Sequence, residues 1–572
     1  MRKHLATTVA ISLAAMCCSS MQAANVAEFD CFAYNGHDAC YENITLDNPG
    51  DYLNPILPGW YSDPSICTNG KGDYFLVTST FVYYPGVPIF HSRDMVNWRQ
   101  IGHVLNRQSQ LKNFPGQHVS GGIFAPAISY NPANGTYYMI TTNVGAGNFF
   151  VKTTDPFSGE WSEPIYLPEV QGIDPAFFFD EDGKGYIVNN DDAPDYKPEY
   201  PGHRTVRVVE FDPATDRCVG ERKIVVNKGW RPQDKPIWCE GPHIYKINGQ
   251  YYLMTAEGGT AENHSEVIYR ADSPFGPYTP FQGNPILTQR DLDRNRPNPV
   301  TCAGHADLIQ TAEGDWWAVF LACRPNAAGY ENLGRETFML PVEWTADGWP
   351  IITRDKELVA PKGTRAAAVR AANPTFGNFG VRDEFNDAQP DQEWITLRTP
   401  ATDLYTIADG KLCLQCAAVN AGEKLTPAML ARRVQHTSFD ASTSLEFTPE
   451  TTDECAGLII YKDETHHYLL GIGKDADGKR CVFLDRVTPE GCTTMASVPL
   501  KGKKVKPVEL RTSSNDDGTA FSFAYSTDGG KKWHEVGTPQ DARLTSTAQA
   551  GGFTGTVVGP YATSKRYSYN NK

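Results

Sequence analysis

Three carboxylates, Asp63, Asp174 and Glu240, each open a copy of one short motif. Cleaving a glycosidic bond needs two carboxyl groups in opposite protonation states. One protonates the leaving oxygen; the other activates water or attacks directly. A third carboxylate nearby raises the acid's pKa through like-charge repulsion and holds it in place. Singly, each residue has a plainer meaning. Asp-Pro is a common turn opener, and a lone glutamate is usually a solvated charge. Their shared register separates them from that meaning, because charge at an inward-facing strand start is costly unless it is used.

The motif occurs five times. The copies begin Asp63-Pro64-Ser65-Ile66, Ala125-Pro126-Ala127-Ile128, Asp174-Pro175-Ala176-Phe177, Glu240-Gly241-Pro242-His243-Ile244 and His305-Ala306-Asp307-Leu308. Each is followed by a turn (Asn69-Gly70, Asn134-Gly135, Asp182-Gly183, Asn248-Gly249, Glu313-Gly314) and then by an aromatic strand such as Tyr137-Tyr138-Met139-Ile140 or Trp316-Trp317-Ala318-Val319. Five all-β units at this spacing predict a five-bladed β-propeller over 51–352. In that fold equivalent positions face one axis, so the three carboxylates and His305 should meet there.

After a linker over 353–380, alternating strands such as Thr443-Ser444-Leu445-Glu446-Phe447 and Phe521-Ser522-Phe523-Ala524-Tyr525 begin a second unit. Their period of two, with regular turns between, predicts a β-sandwich over 381–572. The fold class is therefore all-β throughout. Residues 25–50 read as a polar strap without periodicity.

Other residues join the candidate site on weaker grounds. Phe81, Tyr83 and Phe124 lie near the motif openings and suit a sugar platform, although aromatics at strand ends commonly serve packing. His264 follows the fourth-blade strand, within reach of a sugar hydroxyl. Arg324, just past a fifth-blade strand, can fork onto hydroxyls or fix a carboxylate. His305 reads as a satisfied histidine or as an axial ligand for water or an ion.

The formal net charge of −15 argues against nucleic acid or an anionic membrane as partner and suits a neutral substrate. Residues 1–24 read as a secretory signal, with Arg2-Lys3, a short apolar run from Val9 to Ala15 and small residues at Ala23-Ala24. The expected location is secreted or periplasmic. Met16 fits a lipidation site at Cys17 or Cys18 poorly, and no later stretch is apolar enough to span a membrane. The remaining cysteines show no metal-knuckle spacing. Most read as buried thiols, while Cys31 and Cys40 could close a short loop in an oxidising compartment.

These segments resemble glycoside hydrolase family 43, in its branch of β-xylosidases and α-L-arabinofuranosidases. Asn54-Pro55-Ile56-Leu57-Pro58-Gly59-Trp60-Tyr61-Ser62-Asp63 looks like the family's general-base motif. Gly172-Ile173-Asp174-Pro175 looks like its pKa-modulator motif, and Glu240-Gly241-Pro242-His243 like its general-acid motif. Leu333-Gly334-Arg335-Glu336-Thr337-Phe338 is a further similar segment. The second unit is similar to the branch's C-terminal concanavalin-like sandwich, through Asp383-Glu384-Phe385 and Gly551-Gly552-Phe553-Thr554-Gly555.

The resemblance implies an exo-acting, inverting enzyme that takes terminal pentoses from oligosaccharides of arabinoxylan, arabinan or xyloglucan. Asp63 would be the base, Glu240 the acid and Asp174 the modulator, with Phe553 reaching over the pocket. Base and acid would stand roughly 6.5–9.5 Å apart. No cofactor is required. A structural calcium is compatible with the branch, although Ser564 to Lys572 lacks the acidic residue that often helps bind it. Tyr83 and Phe124 replace tryptophans common in the xylosidases and bear on the choice of sugar. The overall look of the motifs leans to arabinofuranose over xylopyranose. The rival expectations are a carbohydrate-binding propeller without turnover, an endo-arabinanase with an open groove, and a scaffold whose working surface is the sandwich.

Overall fold

The computed structural model describes residues 25–370, 374–401, 403–501 and 506–567. The expected signal segment, including Cys17 and Cys18, lies outside them, as do residues 568–572. Five antiparallel sheets form a propeller, and two larger sheets form a sandwich after it. Blade one comprises Ser65–Thr68, Tyr74–Val77, Gly86–Ser92 and Arg99–Leu105. The innermost strands of blades two to five are Ile123–Asn131, Ile173–Phe179, Glu240–Ile247 and Thr301–Gln310.

The repeated turns explain the repeated strands. Gly70, Gly135, Gly183, Gly249 and Gly314 all have positive φ, between 67° and 90°. Glycine takes that conformation at no steric cost, so each turn can fold the chain directly back into the next strand. The second strands, such as Gln250–Glu257 and Trp316–Cys323, are almost wholly buried. This is why they read as continuous apolar runs rather than as alternation.

The ring closes through the segment before blade one. Leu57 and Thr337 exchange backbone hydrogen bonds of 3.3 and 3.2 Å. The Asn54 side chain reads both backbone groups of Met339, donating to its carbonyl and accepting from its N–H, each at 2.9 Å. Part of the expected linker also pairs here, Lys362–Thr364 lying antiparallel to Asp51–Leu53.

Residues 25–50 are not a strap without periodicity throughout. Val26–Gly36 is a long sandwich strand, hydrogen-bonded between Lys411–Gln415 and Phe439–Glu446. Its alternation runs Ala27, Phe29, then Phe32, Tyr34 inward, with a shift of register between Phe29 and Cys31. That bulge breaks the period of two, so the pattern does not show in sequence. Cys31 lies in this strand and Cys40 in a short turn beyond it; they are not bridged, and all the described cysteines are free thiols.

The two domains share one core. Ile459, Tyr461, Val557 and Tyr561 on the sandwich pack in one apolar cluster with Trp60, Phe81, Tyr83 and Val87 of the propeller. Among the described residues no helix is long and apolar enough to cross a membrane.

Candidate active site

Each blade opening is kinked in the same way. Asp63, Ala125, Asp174, Gly241 and His305 all have positive φ, from 35° to 56°, so Glu240 stands one residue before the position that Asp63 and Asp174 occupy, a correction to the expected shared register. A shift of strand register accompanies the kink in blades two to five. A bulge of this kind re-aims a side chain out of the pleat. The strain of left-handed backbone in non-glycine residues concentrates where function requires it. The kinks bring Asp63, Asp174, Glu240 and His305 to one pocket, also lined by Phe81, Phe124, Thr260, Arg335 and Phe553.

Asp63 is the most heavily held of the three carboxylates. Arg335 Nη1 lies 3.0 Å from its Oδ1, and Ser79 Oγ donates to its Oδ2 at 2.6 Å. Ser79 is fixed in turn by the Ala125 N–H at 2.8 Å. His305 Nδ1 stands 3.7 Å away. Burial by itself would raise the Asp63 pKa, but Arg335, His305 and the serine outweigh it and the pKa falls below the usual carboxylate value.

Glu240 goes the other way. It is 7% exposed, and burial, then Asp174 and Asp63, push its pKa well above the usual value against the opposing Arg335 and Arg204. Asp174 is also pushed up, by burial first. Its Oδ2 accepts from the Gly241 N–H at 3.1 Å and from Asn190 Nδ2 at 3.3 Å. Those donors favour an ionised Asp174, so the proton of this buried pair belongs on Glu240. One carboxylate low and one high, in one pocket, is the requirement for acid and base in glycosidic cleavage.

Phe553 roofs the pocket from the sandwich. Its ring lies 6.1 Å from Phe81, 5.5 Å from Phe124 and 5.3 Å from the Arg335 guanidinium. Its N–H donates to Ser120 Oγ at 2.9 Å. Gly551 and Gly552, at φ 70° and 74°, turn the chain over the pocket, and a Cβ on Gly552 would sit 2.4 Å from Ser120 Oγ.

Three residues expected at the sugar lie elsewhere. Tyr83 is fully buried, 4.8 Å from the Trp60 ring, because Tyr83–Tyr84 pairs with Thr396–Leu397 of the sandwich and turns its side chain into the domain interface. His264 is buried beneath blade five, with Nδ1 bonded to the Cys302 carbonyl at 2.8 Å. Arg324 grips Glu336 through Nε and Nη2 (2.7 and 2.8 Å) and Asp38 through Nη1 (2.6 Å), behind the pocket.

The arginine in the site is Arg335. Its segment is visible in the sequence, but no spacing rule distinguishes the two guanidinium groups. Arg324→Ala should lower stability by about 3–5 kcal/mol, because it strands buried Glu336 and Asp38. The unfolding midpoint tests this. An unchanged midpoint with a raised KM would instead make Arg324 a substrate contact.

A carboxylate pair set apart in pKa, on a five-bladed propeller with an aromatic roof, defines a glycoside hydrolase. The chain belongs to glycosyl hydrolases family 43, whose model matches residues 52–350; residues 382–572 match the β-xylosidase C-terminal concanavalin A-like domain. It is 34% identical to a non-reducing-end α-L-arabinofuranosidase of Bacteroides ovatus, over 91% of this chain and 93% of that one. It is 37% identical to a xylosidase/arabinosidase of Butyrivibrio fibrisolvens, over 91% and 97%. Its structure is similar to that of a GH43_12 protein from a capybara gut metagenome, with a TM-score of 0.87, 40% identity and coverage of 94% and 100%.

Proposed function

We propose that this enzyme is an exo-acting, inverting pentosidase that removes terminal α-L-arabinofuranose from hemicellulose oligosaccharides. The observation that carries the reading is the opposed pair: Asp63 held ionised by Arg335 and Ser79, and Glu240 held protonated by burial beside Asp174. Asp63 takes a proton from water, the water attacks the anomeric carbon, and Glu240 protonates the departing oxygen. Asp174 orients Glu240 and keeps it protonated. Carboxylates and water suffice, so the chemistry calls for no cofactor.

The roof formed by Phe553 supports exo action, since it covers the pocket from the sandwich beside Phe81 and Phe124. The same contacts argue against an open endo-acting groove. The Bacteroides ovatus and Butyrivibrio fibrisolvens relatives support pentose as the substrate class, and the first favours arabinofuranose. A β-D-xylosidase is the second reading, favoured by the similarity of 382–572 to a β-xylosidase domain.

Hydrolysis of p-nitrophenyl α-L-arabinofuranoside and β-D-xylopyranoside should show turnover of the first at higher kcat/KM. A higher kcat/KM on the xyloside would replace arabinofuranose with xylopyranose, and turnover of neither would end the pentosidase reading. Proton NMR of the first-formed sugar should show the inverted anomer; the retained anomer would make Asp63 a nucleophile.

A further inference from the structure

Behind the pocket wall lies a second cluster that the hydrolysis does not use. Cys302 stands near the start of the inner strand of blade five, Cys323 at the end of the neighbouring strand, and Glu331 in the loop that follows. One Sγ from each cysteine and one carboxylate oxygen all lie within 4.8 Å of one another. Cys302 Sγ donates to Glu331 Oε1 at 3.3 Å, and Thr301 Oγ1 donates to the same oxygen at 3.1 Å. The cysteines are 3% and 1% exposed, whereas Glu331 is only half-buried and gives the cluster an edge toward solvent.

Two thiols and a carboxylate form a donor set for a thiophilic divalent cation. Metal–sulfur bonds of about 2.3 Å and metal–oxygen bonds of about 2.0–2.2 Å place the ligand atoms of a tetrahedral ion about 3.6–3.8 Å apart, so the Cys302 sulfur and Glu331 oxygen, now 3.3 Å apart, would part slightly to admit it. Cys302 has φ 58°, a left-handed conformation unusual for cysteine, and its carbonyl is held by His264 Nδ1. A disulfide would require the two sulfurs at about 2.05 Å and would have no use for a carboxylate aimed at one thiol.

We propose that Cys302, Cys323 and Glu331 form a binding site for a thiophilic divalent cation, of which Zn²⁺ is the type, with the fourth position left to water. Binding replaces both S–H protons, which pass to solvent, and no oxidant or reductant is involved. The site would act on the pocket through its loop. The Glu331 carbonyl accepts from the Thr547 N–H at 3.0 Å, and the Asn332 carbonyl accepts from the Thr556 N–H at 2.9 Å. These bonds clamp both ends of the segment that carries Phe553, and Lys462 Nζ donates to the Thr554 carbonyl within it. Arg335 lies four residues beyond Glu331. An ion joining Glu331 to blade five would therefore fasten the anchor of the roof.

The test is cadmium and zinc binding to the full chain, stripped with a chelator under reducing conditions. Cd²⁺ should give thiolate-to-metal ultraviolet absorption that saturates at one ion per chain. Zn²⁺ should release two protons per chain and raise the unfolding midpoint. Cys302→Ser with Cys323→Ser should abolish the absorption. Glu331→Gln leaves both thiols in place and should still weaken binding by at least the roughly 10–100-fold that second-shell partners of metal ligands carry. If the serine pair folds poorly, the glutamine variant and the single Cys323→Ser decide the matter by the same absorption. Absorption that persists undiminished in these variants would place the ion at other thiols and overturn the proposal. So would a wild-type chain that binds neither ion after reduction, or one whose two cysteines are recovered as a disulfide and take up no metal once reduced.

Discussion

Glu240→Ala should lower kcat on a natural oligosaccharide by about 10²–10⁴-fold, the usual contribution of a positioned general acid. Glu240 is buried, and burial, Asp174 and Asp63 together hold its proton. Because its folded pKa is raised, the active protonated form is complete at low pH and is lost as pH climbs through that raised value. Glu240 therefore sets the alkaline limb of the pH–rate profile, at a higher pH than an ordinary carboxyl would. Glu240→Gln preserves the shape but has no proton to give, so its alkaline limb should disappear along with most of the rate. On p-nitrophenyl substrates the loss should be smaller, because that leaving group departs without protonation. A glutamine variant that keeps both the wild-type kcat on oligosaccharide and the alkaline limb would remove Glu240 as the acid.

Asp63→Asn should cost kcat a similar factor, about 10²–10⁴, for the opposite reason. Burial opposes the charge on Asp63, but Arg335, His305 and Ser79 overcome it and lower the pKa. The ionised base is present above that lowered value and is lost as pH falls through it, so the acid limb lies below the ordinary carboxylate range. Ser79→Ala provides the control. It removes the 2.6 Å hydrogen bond but leaves the carboxylate, so the acid limb should move up in pH while kcat at the optimum falls far less than in Asp63→Asn. Asparagine also leaves Arg335 facing a neutral partner, so the unfolding midpoint of that variant must be measured beside its rate. Loss of rate at an unchanged midpoint identifies the base. A rate lost only in proportion to unfolding would assign Asp63 to structure.

The two effects depend on one shared element. Arg335 contacts Asp63 at 3.0 Å and also lowers the pKa of Glu240. Its position trades acid strength against base strength, and the roof residue Phe553 packs over its guanidinium. Movement of the roof would therefore change both contacts with the sugar and the solvation of the group that balances the two carboxyls. This is the physical connection between the sandwich and chemistry on the propeller axis.

The sequence by itself determined the five-fold repeat, the glycine turns and a carboxylate at three of the openings, although the structure sets Glu240 one residue before the position of Asp63 and Asp174; Phe553 came from the family resemblance. Repeat, turns and openings are written locally. A positive-φ glycine, a strand period and a kinked opening depend on neighbouring residues, and the repetition averages out accident. What only the tertiary structure decided involves partners far apart in the chain. Arg324 and Arg335 flank one loop with the same chemistry. Arg324 turns away because Asp38 arrives from the N-terminal segment beside Glu336, leaving Arg335 for Asp63. Tyr83, two residues from Phe81, leaves the pocket because Leu397 of the sandwich pairs with it. Val26–Gly36 reads as a strap because a bulge breaks its period, and its partners begin at Lys411 and Phe439. Side-chain direction at such places follows the lowest-energy pairing of buried charge and apolar surface in the assembled molecule. No local pattern encodes that choice.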